Sequence, residues 1–194
     1  MNKTFFLCLA AVLLLPGCII FERLDLDVDF GKGSVRMLYS GLGTEEKDPS
    51  KAKEDWEKLA KAAKDGPSTV PNGLAWAGRK LFQEGHGLSG ESSYRIVTPT
   101  AALKERLEVL GKLDDEFNLG FKWAALNGSL ALFLEREDDG LMVAGTNGKL
   151  VVLKKSQVVL WPAEAEILQV TLKWKGLPPH ASFMPTFLKE NPAK

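Results

Sequence analysis

Residues 24–30 read Leu-Asp-Leu-Asp-Val-Asp-Phe, a strict alternation of apolar and charged side chains. A strand places such a set on two opposite faces. Leu24, Leu26, Val28 and Phe30 then face a core, and Asp25, Asp27 and Asp29 face water. Gly31-Lys32-Gly33 marks a turn. Ser34 to Ser40 returns as a second strand, with Val35, Met37 and Tyr39 inward and Arg36 on the side of the aspartates.

The same period recurs late in the chain. From Ile167 to Lys175, Leu168, Val170, Leu172 and Trp174 point inward; Gln169, Thr171, Lys173 and Lys175 point outward. Between these ends, Asn127-Gly128 and Asn147-Gly148 are hairpin signals flanked by apolar runs. They predict that Phe121–Leu126 pairs with Leu130–Glu135 and that Leu141–Gly145 pairs with Leu150–Lys154. Val158–Trp161 reads as a short strand stopped by Pro162. Residues 74–84 fit either helix or strand; a strand near Arg79–Gln83 is expected, turning at Glu84-Gly85-His86-Gly87 into another from Ser89 to Thr98.

Two segments carry helical spacing instead. Ser50 is the expected N-cap of a helix from Lys51 to Lys64, with Trp56, Leu59, Ala60 and Ala63 as its apolar stripe and Asp65-Gly66-Pro67 as its stop. Pro99-Thr100 opens a second helix to about Leu110, with Leu103, Leu107 and Leu110 on one face. The expected fold is α+β: an antiparallel sheet of hairpins with two helices packed on one face. It forms a single domain over residues 24–184, followed by a loose C-terminal tail over 185–194.

The opening of the chain has the layout of an export signal. Lys3 precedes an apolar run from Phe5 to Leu15, too short to span a bilayer comfortably as a helix. It closes on Leu15-Pro16-Gly17-Cys18. This tetrapeptide resembles the lipobox of bacterial lipoproteins, with Pro16 in place of the usual Ala, Ser or Thr. The resemblance implies cleavage before Cys18, removal of residues 1–17 and lipid on the Cys18 thiol. It also implies a place in the bacterial cell envelope. Ile19 is not the Asp associated with inner-membrane retention, so the outer membrane is expected where the source has two. The strand-turn-strand over residues 18–42 resembles the opening of LppM-type lipoproteins; the pattern is generic and carries no function with it.

Cysteine usage agrees. The chain has two, Cys8 and Cys18, and Cys8 would leave with the signal. The mature domain would hold no disulfide and no cysteine metal site. Only Ile19, Ile20, Phe21, Glu22 and Arg23 separate Cys18 from the first strand, a reach of about 17 Å. Residues 18–23 thus read as a short lipid tether. Ile19, Ile20 and Phe21 are apolar where a free linker would be polar. They are expected at the membrane interface or against a membrane-associated protein partner.

Size and charge narrow the rest. Without residues 1–17, 177 residues remain, enough for one core. Loss of Lys3 leaves 24 basic residues against 25 acidic. That balance gives no electrostatic reason to bind nucleic acid or to coat an anionic membrane.

Candidate chemistry is sparse. Asp25-x-Asp27-x-Asp29 opens like a calcium loop, but Phe30 and Arg36 stand where such a loop needs glycine and glutamate. Two histidines, His86 and His180, are too few for a usual zinc site. No metal and no cofactor is expected. Serines 89, 92 and 93 lie near His86 without a Gly-x-Ser-x-Gly elbow. Asp114-Asp115-Glu116 and Asp138-Asp139-Gly140 read as acidic turns, not as carboxylates facing across a cleft. Most of the tryptophans at 56, 76, 123, 161 and 174 fit core positions. The leading expectation is a non-enzymatic binding or assembly module close to the membrane. The alternatives are an envelope hydrolase using His86 and a carrier of an apolar ligand.

Overall fold

The computed structural model describes residues 19–67, 70–117, 121–135, 140–177 and 179–192. Residues 1–18, which include the expected export signal and Cys18, and the acidic Asp138-Asp139 lie outside them. The elements run β1 (Ile19–Ile20), β2 (Arg23–Asp29), β3 (Ser34–Ser40), β4 (Gly43–Thr44), α1 (Pro49–Asp65), β5 (Leu74–Glu84), β6 (Gly87–Ile96), α2 (Leu103–Phe117), β7 (Phe121–Leu126) and β8 (Ser129–Glu135). They continue with β9 (Leu141–Thr146), β10 (Lys149–Val152), β11 (Ser156–Pro162), β12 (Ile167–Trp174), β13 (Ala181–Ser182) and α3 (Met184–Glu190). The strands form antiparallel sheets of six (β5-β6-β3-β2-β12-β9), four (β10-β11-β8-β7) and three strands (β1-β4-β13).

The alternating segments behave as their period demands. In β2 and β3, Leu24, Leu26, Val28, Val35, Met37 and Tyr39 are buried, and β2 pairs with β12 so that Leu168, Val170 and Leu172 join them. One continuous apolar core includes these residues, Leu130, Leu132, Val159 and Trp161 from the four-stranded sheet, and Leu110 and Leu113 of α2. The domain is therefore α+β and dominated by antiparallel strands. The two expected helices do not share one sheet face in the simple way predicted. Helix α1 lies against β5 of the large sheet, and α2 contacts β7 of the small one.

The largest departure concerns Asn147-Gly148. Strands β9 and β10 flank it but do not pair. β9 bonds to β12 and β10 to β11, in different sheets. The side chain of Asn147 explains the split. Its Oδ1 accepts from Trp161 Nε1 at 2.7 Å and from the Gln169 amide at 2.8 Å, and its Nδ2 donates to the Ile167 carbonyl at 2.9 Å. The dipeptide is thus bolted to β11 and β12 instead of closing a hairpin. A Cβ on Gly148 would meet Trp161 Nε1 at 2.7 Å and the Leu160 carbonyl at 2.8 Å, so glycine is required by close approach. Further along, Gln157 Oε1 accepts the Val143 amide at 2.9 Å, taking the place of a strand carbonyl from β10. By contrast Asn127-Gly128, with φ of 49° and 76°, closes the β7–β8 hairpin as predicted.

Helix boundaries also shift. Asp48, not Ser50, caps α1, its Oδ1 accepting the Ser50 amide at 2.8 Å, while Pro49 takes the first turn. α2 runs to Phe117, so Asp114-Asp115-Glu116 belongs to a helix end and not to a turn. The segment after Pro185 is not a loose tail. It lies largely within α3, where Phe187 packs against Trp56 and Glu190 accepts from Trp56 Nε1 at 2.9 Å.

One buried cation ties α2 to the connection between the sheets. The Arg106 guanidinium donates from Nε to the Thr100 carbonyl, and from one terminal nitrogen to the carbonyls of Ala163 and Ala165, at 2.7–2.8 Å. It lies 4.8 Å from the Phe30 ring centroid.

Candidate functional site

The first described residues are structure, not tether. Ile19 and Ile20 form β1 and pair with Thr44 and Gly43 of β4. Phe21 is 2% exposed, set edge-on to Tyr39 at 5.4 Å and tilted against Trp174 at 6.1 Å. Phe21 is therefore unavailable to a bilayer or a partner, contrary to the expectation for it, because its ring completes the core beside β3 and β12. Ile19 packs against the same core. The chain is thus already part of the folded body at Ile19. Of the expected tether over residues 18–23, the described residues 19–23 are built into β1, the core and β2.

Strand registers fix what surrounds this start. Arg23 pairs with Ser40 and Lys173, and Trp174 pairs with Leu141. The turn between β5 and β6 falls at the same end, since Tyr39 pairs with Gly90 and Glu84 with Gly87. So does the turn between β10 and β11. Gln157 meets Val143 near the start of β9, whereas Trp161 meets Asn147 at its end. Residues 153–155 therefore extend toward the N-terminal end of the body. The covalent chain agrees: Glu135 pairs with Ser156, and only residues 136–140 join Glu135 to Leu141.

Both histidines lie toward this end, in different settings. His86 is exposed in the β5–β6 turn, which denies it the burial and orienting partner that a catalytic base needs. His180 Nε2 sits 3.5 Å from Glu22 Oε1, beside β4. The nearby serines do not address a histidine. Ser89 and Ser40 both donate to Glu84 Oε2, at 2.7 and 2.9 Å, and these bonds hold the Glu84 carboxyl below its ordinary pKa. Thr44 donates to the buried Asp55 at 2.9 Å, tying β4 to α1. Sequence reasoning missed Asp55, which sits beside Trp56 at the margin of the apolar stripe.

The aspartates of β2 form a compensated ladder. Arg23 pairs with Asp25 at 2.8 Å, Arg36 with Asp27 at 3.8 Å, and Lys32 with Asp29 at 3.3 Å. Arg36 also reaches Glu91 at 2.8 Å, and Lys80 reaches it at 3.4 Å. Burial alone would raise the Glu91 carboxyl; Arg36 and Lys80 outweigh it and bring it down. Among the described residues no group of three or more His, Cys, Asp or Glu is arranged to hold a metal. With each carboxylate already facing a cation, excess calcium is expected to leave the melting temperature unchanged. A clear upward shift in a calcium titration of thermal melting would show that the ladder opens to take a cation.

No helix among the described residues is long and apolar enough to cross a membrane. No protein-family model, curated protein or solved structure matches the chain.

Proposed function

We propose that the chain is a lipid-anchored protein of the bacterial cell envelope, attached through Cys18, that works as a non-enzymatic binding or assembly module at the membrane surface. Where the source has two membranes, the outer one is its place, and its partner is itself membrane-associated. The observation that carries this reading is the absence of slack. Leu15-Pro16-Gly17-Cys18 runs directly into β1, and Phe21 is locked in the core. A domain attached by lipid at Cys18 has no linker with which to leave the bilayer.

Cys18→Ser tests the anchor. The variant is expected to move from the membrane fraction to the soluble fraction, and unchanged attachment would refute the reading. A second arm tests proximity. Twenty or so Gly/Ser residues inserted between Cys18 and Ile19 are expected to keep attachment but impair complementation of a deletion strain. The insertion belongs there and not after Arg23, which lies inside β2.

A further inference from the structure

Exposed apolar side chains are not spread evenly over the body. Among the large ones, Leu150, Val152 and Leu153 are 39%, 55% and 49% exposed and fall on one edge strand and its turn. Among the described residues β10 is an edge strand of the small sheet, with β11 as its neighbour. Val152 pairs with Gln157 and Leu150 with Val159, whose side chains face inward, yet neither β10 residue is covered. An edge of this kind is costly in water and is normally blunted or used. Lys154 and Lys155 follow at once, both exposed, with no described carboxylate paired to either.

The position of this turn gives it an occupant. It lies at the end of the body where the chain emerges from Cys18, and that end is also the side of Phe21. Phe21 touches Trp174, Trp174 pairs with Leu141, and five residues join Leu141 to the β8 end that pairs with Ser156. We infer that the turn Val152–Lys155 is a second membrane contact beside the lipid. Val152 and Leu153 enter the interfacial layer, and the ammonium groups of Lys154 and Lys155 meet headgroup phosphates. The chain as a whole is charge-balanced, so the contact is local and not a long-range attraction. It orients a domain that the lipid already holds. The inference deepens the proposed function and rests on its placement of the N-terminus at a bilayer.

The test needs no lipidation. Every cysteine of the chain lies at or before position 18. The core and the residues packed against it run from Ile19 to Phe187, so the chain from position 18 with Cys18→Ser contains all of it and has no thiol. This protein is tethered by an N-terminal histidine tag to vesicles of phosphatidylethanolamine and phosphatidylglycerol containing a nickel-chelating lipid. Leu153→Cys or Leu126→Cys then carries an environment-sensitive dye. Leu126 lies in the β7–β8 hairpin at the opposite end and is 40% exposed. Lipid-borne spin label is expected to quench the dye at Leu153→Cys severalfold more than at Leu126→Cys. Adding Lys154→Glu and Lys155→Glu should remove most of the difference. Equal quenching at both sites, with equal access to aqueous iodide, overturns the inference. So does a dye at Leu153→Cys shielded from both quenchers, which would mean a second copy or a protein covers the edge. Because tethering is supplied by the tag, a failed lipid anchor leaves this result unaffected, and a failed turn leaves the Cys18→Ser result unaffected.

Discussion

Phe21→Ala is expected to destabilise the domain by about 3–5 kcal/mol, the range for deleting a buried aromatic ring. The ring is 2% exposed and lies against Tyr39 and Trp174, so its loss opens a cavity between β3 and β12. A shortened denaturation midpoint at unchanged slope would report this directly. The prediction separates two views of the N-terminus. If residues 19–21 were a tether dipping into lipid, the protein freed of its lipid would lose no stability on this change. An unaltered midpoint in the Cys18→Ser background would therefore return Phe21 to the membrane and overturn its place in the core.

Arg106→Met should be comparably damaging, at about 3 kcal/mol or more. The substitution keeps much of the apolar stem but strands three carbonyls, those of Thr100, Ala163 and Ala165, that the guanidinium now satisfies. Each buried acceptor left without a donor costs about 1–3 kcal/mol. The contact with Phe30 goes as well. Arg106→Lys is expected to recover only part of the loss, because an ammonium cannot reproduce the planar fork that reaches both sides of the clamp. Urea unfolding of the three proteins gives the ranking. A wild-type midpoint in Arg106→Met would mean that the carbonyls find other donors and that the clamp contributes nothing.

How far the fold was legible in the sequence follows from whether the deciding force is local. Period-two alternation located β2, β3 and β12 and assigned their inner faces correctly, because one buried side of a strand writes itself into the residue order. Asn127-Gly128 was read correctly for a similar reason. Asn147-Gly148 has the same local chemistry but the opposite outcome. Its partners, Trp161 and Gln169, are remote in sequence, and they recruit the asparagine side chain away from hairpin closure. Ile19 to Phe21 failed likewise. Two isoleucines and a phenylalanine before a strand look alike whether they face lipid or β4, and the pairing with Gly43-Thr44 carries no signal in either segment. The whole of α3 was lost because Pro185 sat where packing against a distant aromatic made the decision, as Phe187 and Glu190 show at Trp56. Of the candidate site, the Arg36 contact with Asp27 was readable. The grouping of the β10–β11 turn with the N-terminus required the register of both sheets.

The pairing of β2 with β12 has a consequence for the order in which the molecule is made. Leu24 stands opposite Leu172, and the two outer strands of the three-stranded sheet, β1 and β13, both clasp β4 from opposite ends of the chain. The central seam of the large sheet cannot close until almost the last strand has been delivered. Such late, sequence-distant closure slows folding, because the chain between must be looped before any contact repays it. For a chain exported as we propose, that delay is useful: β2 can pair early only with β3, so the large sheet stays incomplete during passage through a translocation pore and closes on β12 on the far side.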